Sequence, residues 1–377
     1  MASDFWYVNP KKLPDGVSGL CKKINDLGLL FGIWVEPEMI NVESNLYKEH
    51  PDWTMDIPGK NHAEGRNQRM LDLANPEVVD YMIASMSNLF ASANIAYVKW
   101  DMNRIVSDCY SKYLPAKRQG ETMHRYVLGL YRMMDELTKR FPEILFEGCA
   151  SGGNRFDLGI LCFFPQIWAS DNTDAVYRVN GMNGYSYGYP MSVMGAHVSS
   201  CPNHQTLRTT PLETRFAVAA FGVLGYECNL CDMKKEDLEE IRKQIALYKE
   251  WRNVLQYGTF YRGRNAKIHE WTCVSEDKRQ AVGMIMQELT QPNHPTGQYF
   301  PKGLDASARY EFTNRSMRYN ILGFGDLVNT VSPVHIKQDS LVHQVLAKCV
   351  TMPGETERYR ASGSVLMAGV KLAQGFS

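Results

Sequence analysis

Tyr97-Val98-Lys99-Trp100-Asp101-Met102-Asn103-Arg104 is an apolar run that turns to charge within a few residues. Ile95 to Val98 lies between two stretches of helical periodicity and is too short for a helix, so it reads as a buried strand. In β/α architectures the chemistry gathers at the carboxyl ends of strands, which hold side chains rigidly while the loops beyond them vary. Asp101 stands at such an end, with Lys99 beside it, and is the first candidate for a catalytic group.

The pattern repeats on both sides. A Leu13-Pro14-Asp15-Gly16 turn enters an amphipathic helix carrying Val17, Leu20, Ile24 and Leu27, which Gly28 stops. The apolar run Leu29 to Val35 reads as a parallel strand covered on both faces, ending in Glu36-Pro37-Glu38. A polar excursion from Met39 to Asn75 follows, of a length that usually signals function. Pro76 then opens a helix striped with Val79, Met82, Ile83, Met86, Leu89 and Phe90.

Beyond Arg104, a helix over 121–140 leads to a strand at 143–147, and the apolar segment 156–164 leads to a strand at 166–169. Strands are also expected at 191–198 and 218–225, separated by a short helix near 211–217, and a helix at 235–254 closes the series. Six strands alternating with helices predict an α/β fold, an incomplete (β/α)8 TIM-type barrel with six of its eight strands, over residues 1–257. The two remaining strands would precede residue 1. From 258 to 377 the period changes to short alternating runs at 260–261, 271–274, 281–287, 308–312 and 364–367, with a turn cluster at Pro292 to Gly297. This predicts a C-terminal antiparallel β domain.

With 41 basic and 41 acidic residues, nothing in the charge balance recruits nucleic acid or an anionic membrane surface. A neutral or small polar substrate fits better. Nine cysteines without a framework point to reduced thiols and a cytoplasmic setting. No stretch approaches the length of an apolar membrane span, and the N-terminus has no signal-like region. Cys201-x-x-His204 and Cys228-x-x-Cys231 have zinc-like spacing, but buried reduced cysteines are common, and no metal site is expected.

Asp101 and Asp171 each follow a strand, with one strand between them, so both carboxylates can face one barrel mouth. Two carboxylates flanking a sugar are the arrangement that cleaves glycosidic bonds, one attacking while the other donates a proton. A lone strand-end Asp is more often a helix N-cap. Trp34, Trp53, Trp100 and Trp168, near strand ends or in the long loop, offer flat faces for a sugar ring, or simply fill the core. Arg66 and Lys99 can bond a hydroxyl or hold a carboxylate ionised, although a surface ion pair accounts equally well for Arg66. The glycine-rich stretch Cys149–Asn154 allows close approach of backbone to a ligand and lacks the features of a P-loop.

Lys99-Trp100-Asp101-Met102-Asn103-Arg104 resembles the nucleophile motif of the bacterial α-galactosidases, or melibiases, of glycoside hydrolase family 36. Further blocks match in family order: Gly32-Ile33-Trp34-Val35-Glu36-Pro37-Glu38-Met39, Arg66-Asn67-Gln68 with Leu71-Asp72-Leu73, Cys149-Ala150-Ser151-Gly152-Gly153 with Arg155-Phe156-Asp157, Ser170-Asp171-Asn172-Thr173-Asp174, and Leu224-Gly225-Tyr226. The resemblance implies Asp101 as nucleophile, Asp171 as general acid/base, and a galactose pocket lined by Trp34, Arg66, Lys99, Asn103, Cys149 and Gly152. It implies retention of configuration through a covalent intermediate, no metal or organic cofactor, α-galactosides such as melibiose and raffinose as substrates, and a homo-oligomer. Family members carry an N-terminal β-sandwich and an Asp-Asp-Gly-Trp block on a second barrel strand, whereas this sequence starts at Met1-Ala2-Ser3-Asp4-Phe5-Trp6, just past that block. It therefore reads as a truncated form. The competing expectations are α-N-acetylgalactosaminidase, galactosyl transferase, or an inactive remnant that binds galactosides.

Overall fold

The computed structural model describes residues 8–265, 268–288, 298–316, 321–330, 332–351 and 354–372. They fall into two compact units, 1–238 and 239–377. The first is built on six parallel strands: β1 (Phe31–Val35), β2 (Ile95–Trp100), β3 (Leu145–Gly148), β4 (Gln166–Trp168), β5 (Met194–Ser199) and β6 (Val223–Glu227). They pair in chain order, so each crossover adds its strand to the same side, as a barrel wall grows. The six strands expected from the sequence are these six.

Register sets the rim. Val35 pairs with Trp100, Trp100 with Gly148, and Gly148 with Ile167. The next residues, Glu36, Asp101, Cys149 and Trp168, therefore emerge at one level at the carboxyl end of the sheet.

The helix α1 (Gly16–Asp26) leads into β1, and α2 (Pro76–Ala91), α3 (Thr122–Arg140), α4 (Ala175–Tyr185) and α5 (Leu212–Ala219) lie between strands. The Asn75 side chain caps α2 by accepting from Glu77 N–H, and Pro76 occupies the first turn, where its missing donor costs nothing. Val79, Met82, Ile83, Met86 and Phe90 of α2 are buried, as are Met133, Met134 and Leu137 of α3, which packs against it. Under the sheet an aromatic chain continues this core, with Phe146 stacked on Phe164 at 5.3 Å and Phe164 tilted against Trp100 at 5.5 Å. Each such side chain contributes about 1.5–3 kcal/mol of burial free energy.

Four expectations are corrected. The strand at 29–35 is not covered on both faces: it starts at Phe31, lies at one end of the sheet, and leaves Gly32 and Trp34 exposed. The last strand of the series is Val223–Glu227 rather than 218–225, because the continuing apolar face of α5 claims Val218 and Ala219. Helix α4 was not foreseen: Gly181 and Gly184 dilute its helical signal, and the buried cap Asp174 starts it. In the second unit, Ser364–Met367 is not a strand but part of the short helix Gly363–Met367, nucleated when Ser362 Oγ accepts from Val365 N–H.

Helix α6 (Lys235–Tyr257) runs from the end of the first unit into the second. There β7 (Thr259–Asn265), β8 (Ile268–Val274) and β9 (Ala281–Gln287) form an antiparallel sheet with β8 central, and β10 (Arg309–Thr313) pairs with β11 (Arg358–Ser362). Val274, Leu304, Leu366 and Val370 form its small core, with Tyr310 and Phe312 packed on them. The helix α7 (Leu341–Cys349), capped by Ser340, was also not foreseen. The expected turn at Pro292 to Gly297 lies outside the described residues.

The packing of α3 makes one position intolerant. A Cβ on Gly129 would stand 2.0 Å from the carbonyl oxygen of Leu73 and 3.1 Å from Val79 Cγ2, and backbone cannot yield as a side chain does. Gly129→Ala is expected to lower unfolding free energy by about 1–3 kcal/mol despite the better helix propensity of alanine, read as a lower urea midpoint. An unchanged or higher midpoint would contradict this packing.

Candidate active site

At the rim, the Asp101 N–H donates to Val35 O at 2.9 Å, prolonging the ladder one residue past β2 and fixing the direction of its side chain. Asp101 is 7% exposed. Oδ1 accepts from Met102 N–H at 2.8 Å; Oδ2 accepts from Trp34 Nε1 at 3.1 Å and Asn103 Nδ2 at 2.7 Å. Burial pushes this carboxyl up, but the donors on Asn103, the Cys149 thiol, Trp34 and the Met102 N–H together outweigh it and hold Asp101 below the ordinary carboxylate range. Burial, then the charge of Asp101, pushes the Cys149 thiol well up, so it stays protonated and serves as a donor.

Asn103 is oriented from the far side by Glu36, a fully buried carboxylate. Glu36 Oε1 accepts from Asn103 N–H at 3.1 Å and Asn103 Nδ2 at 2.8 Å, and Oε2 accepts from Gln68 Nε2 at 2.9 Å. Arg66 Nη1 stands 3.6 Å from Glu36 Oε1, which draws this half-exposed guanidinium to the rim. Arg66 and Asn67 sit at φ 56° and 59° in a tight turn closed by Gly65 and Gln68. A primed turn needs two positive φ values, and the one at Arg66 is uncommon for a residue with a long side chain.

Glu38 gathers the next layer. It accepts from Trp100 Nε1 at 2.9 Å, Tyr126 OH at 2.5 Å and Arg155 Nη1 at 2.8 Å, tying the end of β1 to β2, α3 and the loop after β3. In that loop Ser151 donates to Asn103 Oδ1 at 3.2 Å. Gly152, at φ 81°, lies against the following strand end: a Cβ there would be 3.0 Å from Ser170 Cα and 3.1 Å from Asp171 N, so only glycine permits the approach. The segment after Asp101 has no regular structure before residue 116. It is pinned by Lys112 Nζ on Asp56 at 2.7 Å, Ser111 Oγ on Asp72 at 2.5 Å and Asp108 on Ala63 N–H at 2.8 Å.

The two aspartates of Ser170–Asp174 part company. Asp174 is buried and caps α4, and it also takes Thr206 Oγ1 at 2.9 Å and Arg208 Nη1 at 2.6 Å. Asp171 is exposed, with Trp168 Nε1 donating to its Oδ1 at 3.0 Å. Neither Asp101 nor Asp171 is a helix cap. Lys99 Nζ lies 3.3 Å from Glu147 Oε1 and 4.3 Å from the centre of the Trp168 ring.

Of the residues singled out in the sequence, Trp34, Asp101, Asn103 and Cys149 meet directly, Arg66 joins them through Glu36, and Gly152 abuts the backbone of Asp171. Lys99 is linked to Asp171 through Trp168. Trp53, Trp100 and Trp168 are buried in the core and offer no sugar-facing surface, whereas Trp34 is 39% exposed. Sequence reasoning missed Glu36, Glu38, Ser151 and Arg155. The available signal was two acids directly after an apolar strand, where burial demands partners. Among the described residues no three metal-capable side chains cluster, and Cys201 and Cys231 are exposed.

Residues 2–258 match the melibiase family model, and 268–375 match that of the glycosyl hydrolase family 36 C-terminal domain. The chain is 49% identical over 312 residues to α-galactosidase AgaA of Geobacillus stearothermophilus, covering 81% of this chain and 42% of the relative. It is 45% identical over 308 residues to an α-galactosidase of Lactobacillus acidophilus, with coverages of 81% and 42%. A crystal structure of the Geobacillus AgaA enzyme in complex with raffinose superposes with a TM-score of 0.81 at 47% identity, covering 82% of this chain and 44% of that one. The chain thus spans less than half the length of these relatives.

The Glu38 cluster yields a stability prediction. Arg155→Ala leaves a fully buried carboxylate without its cation and is expected to cost about 3–5 kcal/mol. Glu38→Gln combined with Arg155→Met should recover much of that loss in denaturant melts. Equal destabilisation by the single and double variants would show that the pair does not carry the effect.

Proposed function

The chain belongs to the melibiase family of glycoside hydrolase family 36, and from that premise we propose that it forms the catalytic part of a retaining α-galactosidase. Its substrates are oligosaccharides ending in α-linked galactose, such as raffinose and melibiose. Residues 1–257 carry the barrel portion and 258–377 the C-terminal β domain. Nine free thiols support a cytoplasmic setting. Among the described residues no helix is long and apolar enough to cross a membrane.

Asp101 is the nucleophile. Its oxygen attacks the anomeric carbon as the glycosidic C–O bond breaks, and Asp171 gives its proton to the departing oxygen. In the second step water loses a proton to Asp171 and attacks the same carbon, releasing Asp101 and restoring the configuration. Trp34, Arg66, Lys99, Asn103, Cys149 and Gly152 line the galactose pocket.

The observation that carries this reading is the environment of Asp101. Donors that outweigh burial keep it ionised and aimed, as a nucleophile must be, while Asp171 stands exposed at the end of the next strand but one. The raffinose complex of the Geobacillus relative fits the same substrate class.

Asp101→Ala is expected to cut α-galactoside turnover by a factor on the order of 10^4. Azide should then restore cleavage of an activated galactoside and yield the β-galactosyl azide, identified by NMR. Retained activity in Asp101→Ala, or an α-configured azide, would remove Asp101 from this role.

A further inference from the structure

Trp168 is the last residue of β4 and only 3% exposed, yet its one polar atom points to the exposed Asp171: Nε1 donates to Oδ1 at 3.0 Å. Its ring is held on several sides. Lys99 Nζ from β2 lies 4.3 Å from the ring centre, Arg178 Cζ from α4 4.9 Å, and the His197 ring from β5 4.4 Å. These neighbours are themselves fixed. Lys99 meets Glu147 of β3 at 3.3 Å, His197 Nδ1 meets Glu227 of β6 at 3.3 Å, and Arg178 donates to the His197 carbonyl. An indole clamped in this way cannot turn its N–H aside.

We infer that Trp168 is a positioning residue that makes Oδ2 of Asp171 the oxygen that carries and transfers the proton. This deepens the glycosidase reading and rests on it. An indole N–H only donates, so Oδ1 must remain an acceptor whether the carboxyl is charged or neutral. When Asp171 is acid, the proton therefore sits on Oδ2 and passes from there to the glycosidic oxygen. When Asp171 is base, the proton of the incoming water returns to Oδ2.

Trp168→Phe keeps an aromatic ring between Lys99, Arg178 and His197 and removes the N–H along with part of the indole's bulk. The experiment measures kcat/KM against pH on an α-galactoside with a poor leaving group, where the alkaline limb reports the general acid. Because the variant lacks a donor to the carboxylate, the limb is expected to move up by about half a unit or more. Cleavage of an aryl galactoside, which needs little proton donation, should fall less than cleavage of raffinose. An unmoved limb, with both substrates slowed alike, would overturn the inference.

A second readout needs no altered Trp168. In the unaltered protein its indole N–H resonance should shift with pH at the midpoint of that limb, and should not do so in Asp171→Ala; a resonance insensitive to that titration would also overturn it. Asp171→Ala separates the two levels of the argument. Undiminished raffinose cleavage by that variant would remove Asp171 from the acid/base role on which the inference rests, and absence of raffinose cleavage by the unaltered protein would overturn the glycosidase reading itself. Lost cleavage combined with an unmoved limb in Trp168→Phe would sink only the role of Trp168.

Discussion

One amide group holds two acids side by side. Asn103 Nδ2 donates both to Glu36 Oε1 at 2.8 Å and to Asp101 Oδ2 at 2.7 Å. Taking a carboxylate out of water costs on the order of several kcal/mol, and two near each other repel as well. Hydrogen bonds to charged groups return about 1.5–3 kcal/mol each, so the pair survives only because donors converge on it. Gln68, Arg66 and the Asn103 N–H serve Glu36, while Trp34 and the Met102 N–H serve Asp101. The outcome is an aimed, ionised Asp101, and most of the remaining rim follows from holding those donors in place.

That requirement explains the elaborate surroundings of a short strand end. Gln68 and Arg66 come from the long excursion after β1, so the excursion must be anchored. Lys112 on Asp56, Ser111 on Asp72 and Arg104 Nη1 on the Gln68 carbonyl at 2.7 Å tie it to the irregular segment after β2. Burial alone would lift the Asp56 carboxyl, but Lys112, Thr54 and His62 pull it below its ordinary value. This anchor therefore contributes stability above the unfolded carboxylate range and loses it as pH falls through the lowered value. Glu38 performs the matching task between β1, α3 and the loop that carries Gly152 and abuts Asp171.

The sequence disclosed the strands well because each is a compact apolar run with charge or glycine at its end, and register then placed Asp101, Glu36 and Cys149 at one level. It disclosed less where the cause is not local. The open position of β1 cannot be read from its apolar residues, and α4, weakened by two glycines, is set by a cap whose carboxylate bonds Arg208, more than thirty residues away. Four tryptophans looked alike in sequence. Of these four only Trp34 is substantially exposed, because it lies on the strand at one end of the sheet, whereas Trp100 and Trp168 are on inner strands. Glu36 and Glu38 read as the polar end of a strand, when their burial makes them its organising centre.

The most direct test treats the protein with a fluorinated galactosyl fluoride, which slows turnover of a covalent intermediate, followed by peptide mass spectrometry. The account predicts one galactosyl adduct, joined as an ester to Asp101. An adduct on another residue, or continued α-galactoside cleavage without any adduct, would contradict it.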